Sequence, residues 1–373
     1  MSRNSSKRRS VAILGTRGYP SFYGGFETAV RVLAPYLAEN DWDVTVYGRP
    51  GGTVAPDFAV DPRVTSRATR GIETKSLSTL SYGFTSSLDA MRRRPDVALV
   101  MNVANGYWLP LLKARGIPTV VNVDGIEWER DKWGRVAKTV FRTGAAATAR
   151  WADSLVFDAV AIGDYWAKEF NKSGVFIPYG GDIPGPLPVP LDMESTRYVL
   201  AVARFVPENT INEFFDAVPL IARRHPVVIV GSSGYGGDFD QRAKALAESH
   251  ANVTWLGHVR DDTLLLALWQ HSGVYFHGHS VGGTNPALVQ AMACGASVVA
   301  RDTVFNREVL SPSGGEFVQP QPQAIADTVN ALMDNPGERA RLSGVVAARA
   351  AEMYSWELVS ASYEAELDRV RRK

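Results

Sequence analysis

Residue types able to bind phosphate or move a proton recur at four strand-to-helix junctions of this 373-residue chain. The densest is His277-Gly278-His279-Ser280-Val281-Gly282-Gly283-Thr284-Asn285-Pro286, which continues to Gln290 and the stop at Gly295. It reads as a strand end, a small-residue turn and a helix opened near Pro286, with the β-branched strand Ala296–Ala300 next. Such a turn leaves backbone N–H groups at the positive end of a helix, a setting that suits a phosphate or diphosphate.

A second turn, Gly15 to Thr28, ends in Gly24-Gly25 at a helix start, where a ligand could approach the backbone closely; a plain tight turn is the alternative. The glycine spacing is not that of a nicotinamide fingerprint, and Gly48-Arg49 stand where an acid should close the second strand, which argues against a dehydrogenase. Arg204 follows a strand in Ala203-Arg204-Phe205-Val206-Pro207-Glu208-Asn209. A guanidinium there can hold a diphosphate bidentately; the alternative is a surface ion pair with Glu208 or Glu213. Asp124 ends a strand before Gly125, with Glu127 and Glu129 close behind, and a carboxylate there can bind sugar hydroxyls or accept a proton. Its alternative is a helix N-cap. His277 and His279 share a face, but no third ligand stands at a recognisable spacing, so the pair is not read as a metal site.

Two successive α/β series must position these groups. Val11–Leu14, a helix over Phe26–Glu39, Val44–Tyr47, Val97–Val100 and Thr119–Val123 make the first, with Pro35 expected to kink or shorten its helix. Five prolines and three glycines between Pro178 and Pro190 mark a linker. Strands at 198–202, 227–230 and 253–256 then alternate with helices at 210–224 and 240–249. Both series signal doubly wound parallel sheets, whose ligands sit at the carboxyl ends of strands, and two facing sheets give an interdomain cleft. The expected layout is a disordered basic N-terminus over 1–10, a first α/β domain over 11–180, a linker over 181–196, a second α/β domain over 197–355, and an amphipathic helix over 356–373 that packs back on the first domain.

The length favours two domains, and 45% hydrophobic with 21% charged residues is a globular composition. Cys294 stands alone, which forbids an intramolecular disulfide and suits a reducing, cytoplasmic setting; its small-residue surroundings read as packing rather than nucleophile. No signal-peptide core follows the basic start, and the apolar run Val97–Leu112 is broken by Asn102, Asn105, Gly106 and Pro110, so no spanning helix is expected. Up to Gly180 there are 24 Lys and Arg against 17 Asp and Glu, and beyond it 16 against 22, so the halves carry +7 and −6. The basic half could face an anionic substrate or surface, or carry ordinary solvated charge. Lys132, Arg135, Lys138 and Arg142, interleaved with Trp133, Val136, Val140 and Phe141, fit either a membrane-surface helix or one packing on its own domain.

The motifs Gly15-Thr16-Arg17-Gly18 with Gly24-Gly25-Phe26-Glu27-Thr28, Asp124-Gly125-Ile126-Glu127-Trp128, Arg204 to Asn209, His277 to Pro286 and Tyr354-Ser355-Trp356-Glu357 resemble glycosyltransferase family 4, in a branch similar to bacterial surface-polysaccharide rhamnosyltransferases. The resemblance covers nearly the whole chain and implies a GT-B fold with two Rossmann-like domains. It also implies retaining, metal-independent transfer from a nucleoside-diphosphate sugar, L-rhamnose being the candidate, to a lipid-linked or oligosaccharide acceptor. No cofactor and no nucleic acid are implied; the setting is the cytoplasm, at the inner membrane face if the basic domain touches lipid. By position, Gly25 and Arg204 would hold the diphosphate with the amides of Thr284 and Asn285, and Gln290 would meet the ribose. Gly24, Asn209, His279 and Gly283 complete the candidate donor set; Asp124 and Arg204 are the candidate catalytic residues; Arg17, Glu127 and Trp128 are the acceptor-side candidates. The wider family's paired glutamates are replaced by Gly282 and Gln290, and its lysine by Asn209. A nucleotide-sugar epimerase and a non-catalytic sugar-binding protein are the competing readings.

Overall fold

The computed structural model describes residues 8–21, 24–51, 60–73, 78–130, 133–234 and 236–372, and the chain divides into two compact units. The first holds the residues up to Tyr179 and those from Trp356 onward; the second is Gly180–Ser355. Of the expected N-terminal tail, residues 1–7 lie outside the described residues, and the first strand begins at Arg9, earlier than its apolar run.

In the first unit β1 (Arg9–Leu14), β2 (Trp42–Gly48), β3 (Val64–Ala68), β4 (Val97–Met101), β5 (Thr119–Asn122), β6 (Ser154–Phe157) and β7 (Val175–Phe176) form one parallel sheet. Its order is β3-β2-β1-β4-β5-β6-β7. The strands are short apolar runs such as Val97-Ala98-Leu99-Val100, buried on both faces as a helix-covered parallel sheet requires. The intervening helices are α1 (Gly25–Glu39), α2 (Ser78–Arg93), α3 (Leu109–Lys113), α4 (Arg135–Trp151) and α5 (Val160–Phe170). The expected shortening at Pro35 does not occur, for α1 runs through it to Glu39. A proline there costs about 3 kcal/mol, while burial of Val30, Leu33 and Leu37 contributes roughly 1.5–3 kcal/mol for each side chain.

The second unit repeats the plan with β8 (Val199–Val202), β9 (Val227–Val230), β10 (Val253–Trp255), β11 (Val274–His277), β12 (Val298–Arg301) and β13 (Glu316–Val318), all parallel, in the order β10-β9-β8-β11-β12-β13. Around them lie α6 (Ile211–Ala222), α7 (Asp238–Ser249), α8 (Asp262–Gln270), α9 (Pro286–Ala293), α10 (Val304–Leu310), α11 (Pro322–Met333) and α12 (Pro336–Met353). The rings of Phe214 and Phe276 stack at 4.8 Å in the core under α6. Helix α6 begins one residue later than expected, because Thr210 is left-handed with φ 56°.

The chain closes with α13 (Trp356–Arg371), whose Val359, Tyr363, Leu367 and Val370 join the core of the first unit beside α1, β4 and β5. The Tyr363 hydroxyl accepts from the Asn122 amide at 2.6 Å, and Glu364 accepts from the buried Trp42 indole at 3.0 Å. In each sheet the strand order reverses beside the first strand, at β1/β4 and at β8/β11. Ligands of open α/β sheets bind outside the carboxyl ends of the strands at such points.

Candidate functional site

At the β8/β11 switch point two loops leave side by side and are stitched together. Arg204 stands two residues past β8, exposed, and neither Glu208 nor Glu213 pairs with it among the described residues. The alternative reading, a surface ion pair, is therefore not seen among the described residues, where one carboxylate oxygen of Glu208 is itself buried without a hydrogen-bond partner. Asn209 spends both ends of its amide on the protein. Its Nδ2 donates to the Arg204 carbonyl at 2.7 Å, and its Oδ1 faces His279 Nδ1 at 2.6 Å. Because the carbonyl can only accept, the amide orientation is fixed, and the Nδ1 of His279 must carry the proton. Ser280 donates its amide and hydroxyl to the Glu208 carbonyl at 3.0 and 2.9 Å.

Underneath, the buried Thr210 hydroxyl donates to the Gly278 carbonyl at 2.6 Å and accepts from Arg301 at 3.0 Å. The Asn306 amide donates to the carbonyls of His279 and Arg301 at 2.9 and 2.8 Å. A Cβ on Gly278 would lie 2.3 Å from the Asn209 carbonyl oxygen, so that glycine serves the approach of two protein loops. Gly282 has φ +89°, a conformation that disfavours any side chain, which explains why a glutamate does not simply slot into this turn. Between the loops, His277 is only 3% exposed, with Nδ1 3.0 Å from the Tyr275 hydroxyl and Nε2 buried without a partner. Burial, helped by His279 nearby, holds its pKa well below the ordinary histidine value, so the ring is neutral at pH 7.

Helix α9 opens where the sequence placed it, with Pro286 first and the Asn285 side chain accepting from the Ala287 amide at 2.9 Å. Thr284 and Asn285 thus stand at the positive end of α9, with Gly283 just ahead. Gln290 is held against backbone. Its Oε1 accepts from the Asp182 amide at 3.0 Å and its Nε2 donates to the Asp182 carbonyl at 2.7 Å. Cys294 is buried one turn on, its thiol pushed up to about 11 by burial, which leaves it a packing residue.

In the first unit, Gly24 caps α1 in an extended conformation, and a Cβ on Gly25 would lie 3.3 Å from the Tyr179 ring. Burial pushes the Tyr179 phenol well above its usual value, with the charges of Asp124, Asp158 and Glu27 adding to the effect. The start of α1, Asp124 and Tyr179 are therefore brought together. Asp124 caps no helix; it is left-handed at φ 62°, and its amide donates to the Asn122 side chain at 2.9 Å. Since Asn122 is held by Tyr363 of α13, the last helix supports the Asp124 turn.

Two acceptor-side candidates are committed to the protein interior. Glu127 is 5% exposed, pairs with Arg130 at 2.8 Å and accepts from the Trp133 indole at 2.7 Å. Trp128 is 7% exposed, donates to the Tyr165 hydroxyl at 3.1 Å and meets Phe170 edge-on. Trp128 packs against α5 while Glu127 is closed in by Arg130 and Trp133, roles that motif spacing cannot distinguish from ligand contact. Arg17 is half-buried, its amide donating to Glu27 at 3.1 Å. Of the basic series on α4, Lys132 lies outside the described residues and Arg142 pairs with Glu169 at 3.0 Å. That helix buries Gly144, Ala145, Thr148 and Ala149 against its own domain, while Val136 is 80% exposed. Among the described residues no group of three or more His, Cys, Asp or Glu is placed to hold a metal ion, and no helix is long and apolar enough to cross a membrane.

Sequence reasoning missed Thr210, Arg301 and Asn306. The available signal was Arg301 at the end of a β-branched strand, a placement like that of Arg204 after β8.

Residues 24–180 match the glycosyl transferase 4-like domain, and residues 190–344 match the glycosyl transferases group 1 family. A phosphatidyl-myo-inositol mannosyltransferase of Mycolicibacterium smegmatis is 30% identical over 223 residues, 55% of each chain. The gpi3 subunit of the phosphatidylinositol N-acetylglucosaminyltransferase of Schizosaccharomyces pombe is 24% identical over 162 residues, 42% of this chain and 35% of that one. The chain thus spans about half or less of the length of these curated relatives. Their names speak of mannosyl and N-acetylglucosaminyl transfer, not of rhamnosyl transfer. Among solved structures, a sucrose-phosphate synthase of Thermosynechococcus elongatus superposes with a TM-score of 0.79 at 18% identity, over 97% of this chain and 99% of that one. Anabaena Alr3699/HepE, solved in complex with UDP, gives 0.72 at 15% identity over 96% and 99%. These likenesses establish the two Rossmann-like units as the GT-B fold.

Proposed function

We propose, on the support of its matches to a glycosyl transferase 4-like domain and to glycosyl transferases group 1, that the chain is a glycosyltransferase that moves a hexose from a nucleoside diphosphate to a lipid-linked or oligosaccharide acceptor with retention of configuration. The donor belongs on the second unit and the acceptor on the first. The observation that carries this reading is Arg204, a cation with no acid paired to it among the described residues, at the β8/β11 switch point, its backbone carbonyl held by Asn209 on the same rim as the positive end of α9.

In the step proposed, the bond from the anomeric carbon to the diphosphate oxygen breaks while the acceptor oxygen bonds to the same face of that carbon. The acceptor proton passes to the departing diphosphate. Arg204 stabilises the charge that grows on the leaving group, and its replacement by Ala should lower turnover by about a hundredfold, the scale for one such donor. Unchanged turnover would remove it from the mechanism. Asp124, beside the buried Tyr179 phenol, is the residue proposed to orient an acceptor hydroxyl. Mannose, supported by the relatives' names, and L-rhamnose, supported by the motif resemblance, are the sugars to try first. The basic first half favours an acceptor that carries phosphate.

The deciding experiment incubates the protein with a panel of nucleotide sugars, with and without phospholipid and polyprenyl-phosphate acceptors, and measures released nucleoside diphosphate. Release that depends on acceptor supports transfer. A changed sugar nucleotide without acceptor would mark an epimerase, and binding without any turnover a sugar-binding protein.

A further inference from the structure

We propose that Arg301, at the end of β12, is a second cationic contact for the diphosphate of the donor; the inference rests on the donor reading above. Strand β11 lies between β8 and β12, so Arg204 and Arg301 flank the rim formed by His277, Gly278 and His279. The loop after β8 offers no other cation at this rim, because the neutral Asn209 is spent on the Arg204 carbonyl and His279.

The electrostatic situation of Arg301 is unusual for a half-buried arginine. Among the described residues its one side-chain hydrogen bond is from Nη1 to the neutral Thr210 hydroxyl, and no acid pairs with it there. Its neighbour Asp302 is held by both arms of Arg307 at 2.6 and 2.9 Å. A guanidinium has five donors in a fixed fork, so four N–H groups and the whole charge of Arg301 await an anion. Among the described residues none of its nitrogens is both enclosed and without a partner, so the unpaired donors are not sealed in by protein.

Its placement is also built rather than incidental. Thr210 is fully buried and left-handed, a costly conformation for a β-branched residue. Its single hydroxyl proton goes to the Gly278 carbonyl, which leaves a lone pair for Arg301. Asn306 then fixes the Arg301 carbonyl and the His279 carbonyl together. Strain at Thr210 and a staple at Asn306 thus set an unpaired fork beside the rim that Arg204 also borders. A fork of this kind matches two oxygens of a phosphate bidentately.

Calorimetric titration of the full chain with UDP, GDP, dTDP and ADP, for the wild type, Arg301→Gln and Arg301→Lys, tests this, with thermal unfolding of each protein alongside. For whichever diphosphate binds the wild type, Arg301→Gln should weaken binding about tenfold or more, the scale of a lost charge-assisted contact, and Arg301→Lys less than about threefold. Unfolding temperatures should stay close to that of the wild type. Unchanged affinity in Arg301→Gln, or equal losses in the Gln and Lys variants, would overturn the contact while leaving the donor reading intact. A wild type that binds none of the four diphosphates would sink both.

Discussion

Gln290 invites an obvious substitution, since the resemblance places a glutamate there, and the structure says what Gln290→Glu would do. The present amide makes two complementary bonds to the Asp182 peptide, accepting from its N–H at 3.0 Å and donating to its carbonyl at 2.7 Å. A carboxylate keeps the first and loses the second, and its other oxygen is left facing the Asp182 carbonyl. Losing one hydrogen bond costs about 1 kcal/mol, and confronting an anion with a carbonyl at a solvent-accessible site adds a fraction more, so about 1.5 kcal/mol is expected. For a unit of this size that corresponds to a fall in Tm of about 3–6 °C. The sign of the pH dependence follows. The carbonyl favours the protonated acid, so the introduced group has a higher pKa folded than unfolded, and the folded state binds more protons. The penalty is then full at pH 8 and fades as pH falls through that raised pKa, where the acid can donate again. Melting curves of the wild type and the variant at pH 4.5 and pH 8, with nucleoside-diphosphate release assayed at pH 8, decide the matter. A variant equally stable at pH 8 and faster in turnover would show that the side chain faces the donor and that the Asp182 pairing is dispensable.

Further outcomes follow from other residues. Gly278→Ala should destabilise by about 2–4 kcal/mol, visible as a large loss of Tm or of soluble protein, because the new methyl lies 2.3 Å from a backbone oxygen. His277 binds fewer protons folded than unfolded, so stability should fall as pH drops below its ordinary value of about 6.5, by at most about 1.4 kcal/mol per pH unit. Urea titrations of the wild type and His277→Gln between pH 5 and 7 should show that component vanish in the variant. Cys294, buried with its thiol near 11, should resist iodoacetamide at pH 8 in the native protein and react on unfolding; fast native labelling, read by mass spectrometry, would contradict its placement.

The alternation of strands and helices was legible because parallel strands buried on both faces are short β-branched runs, as in Val227-Val228-Ile229-Val230. Arg204 was legible for a related reason: a strand end fixes where the next two residues go. What escaped was the partnership of side chains with distant backbone. Thr210 meets Gly278 and Arg301 at separations of 68 and 91 residues, and no local pattern encodes such contacts. The same blindness hid the partners of Glu127 and Trp128, for Arg130, Trp133 and Tyr165 turn these polar and aromatic groups into buried packing. Pro35 was overweighted for the converse reason, since a local penalty was judged without the apolar face that opposes it.

The closing helix has a consequence for how the protein comes into being. On the ribosome, residues up to Tyr179 emerge first, yet their core lacks Val359, Tyr363, Leu367 and Val370, and the Trp42 indole lacks Glu364. All 176 residues of Gly180–Ser355 are made in between, and their sheet has every strand it needs as soon as it is out. The second unit can therefore mature before the first, and the earlier-born half must wait, with an open seam beside α1, for α13. Chaperone demand during synthesis should concentrate on that seam, and nascent chains stalled before α13 should fail in the half already completed in sequence.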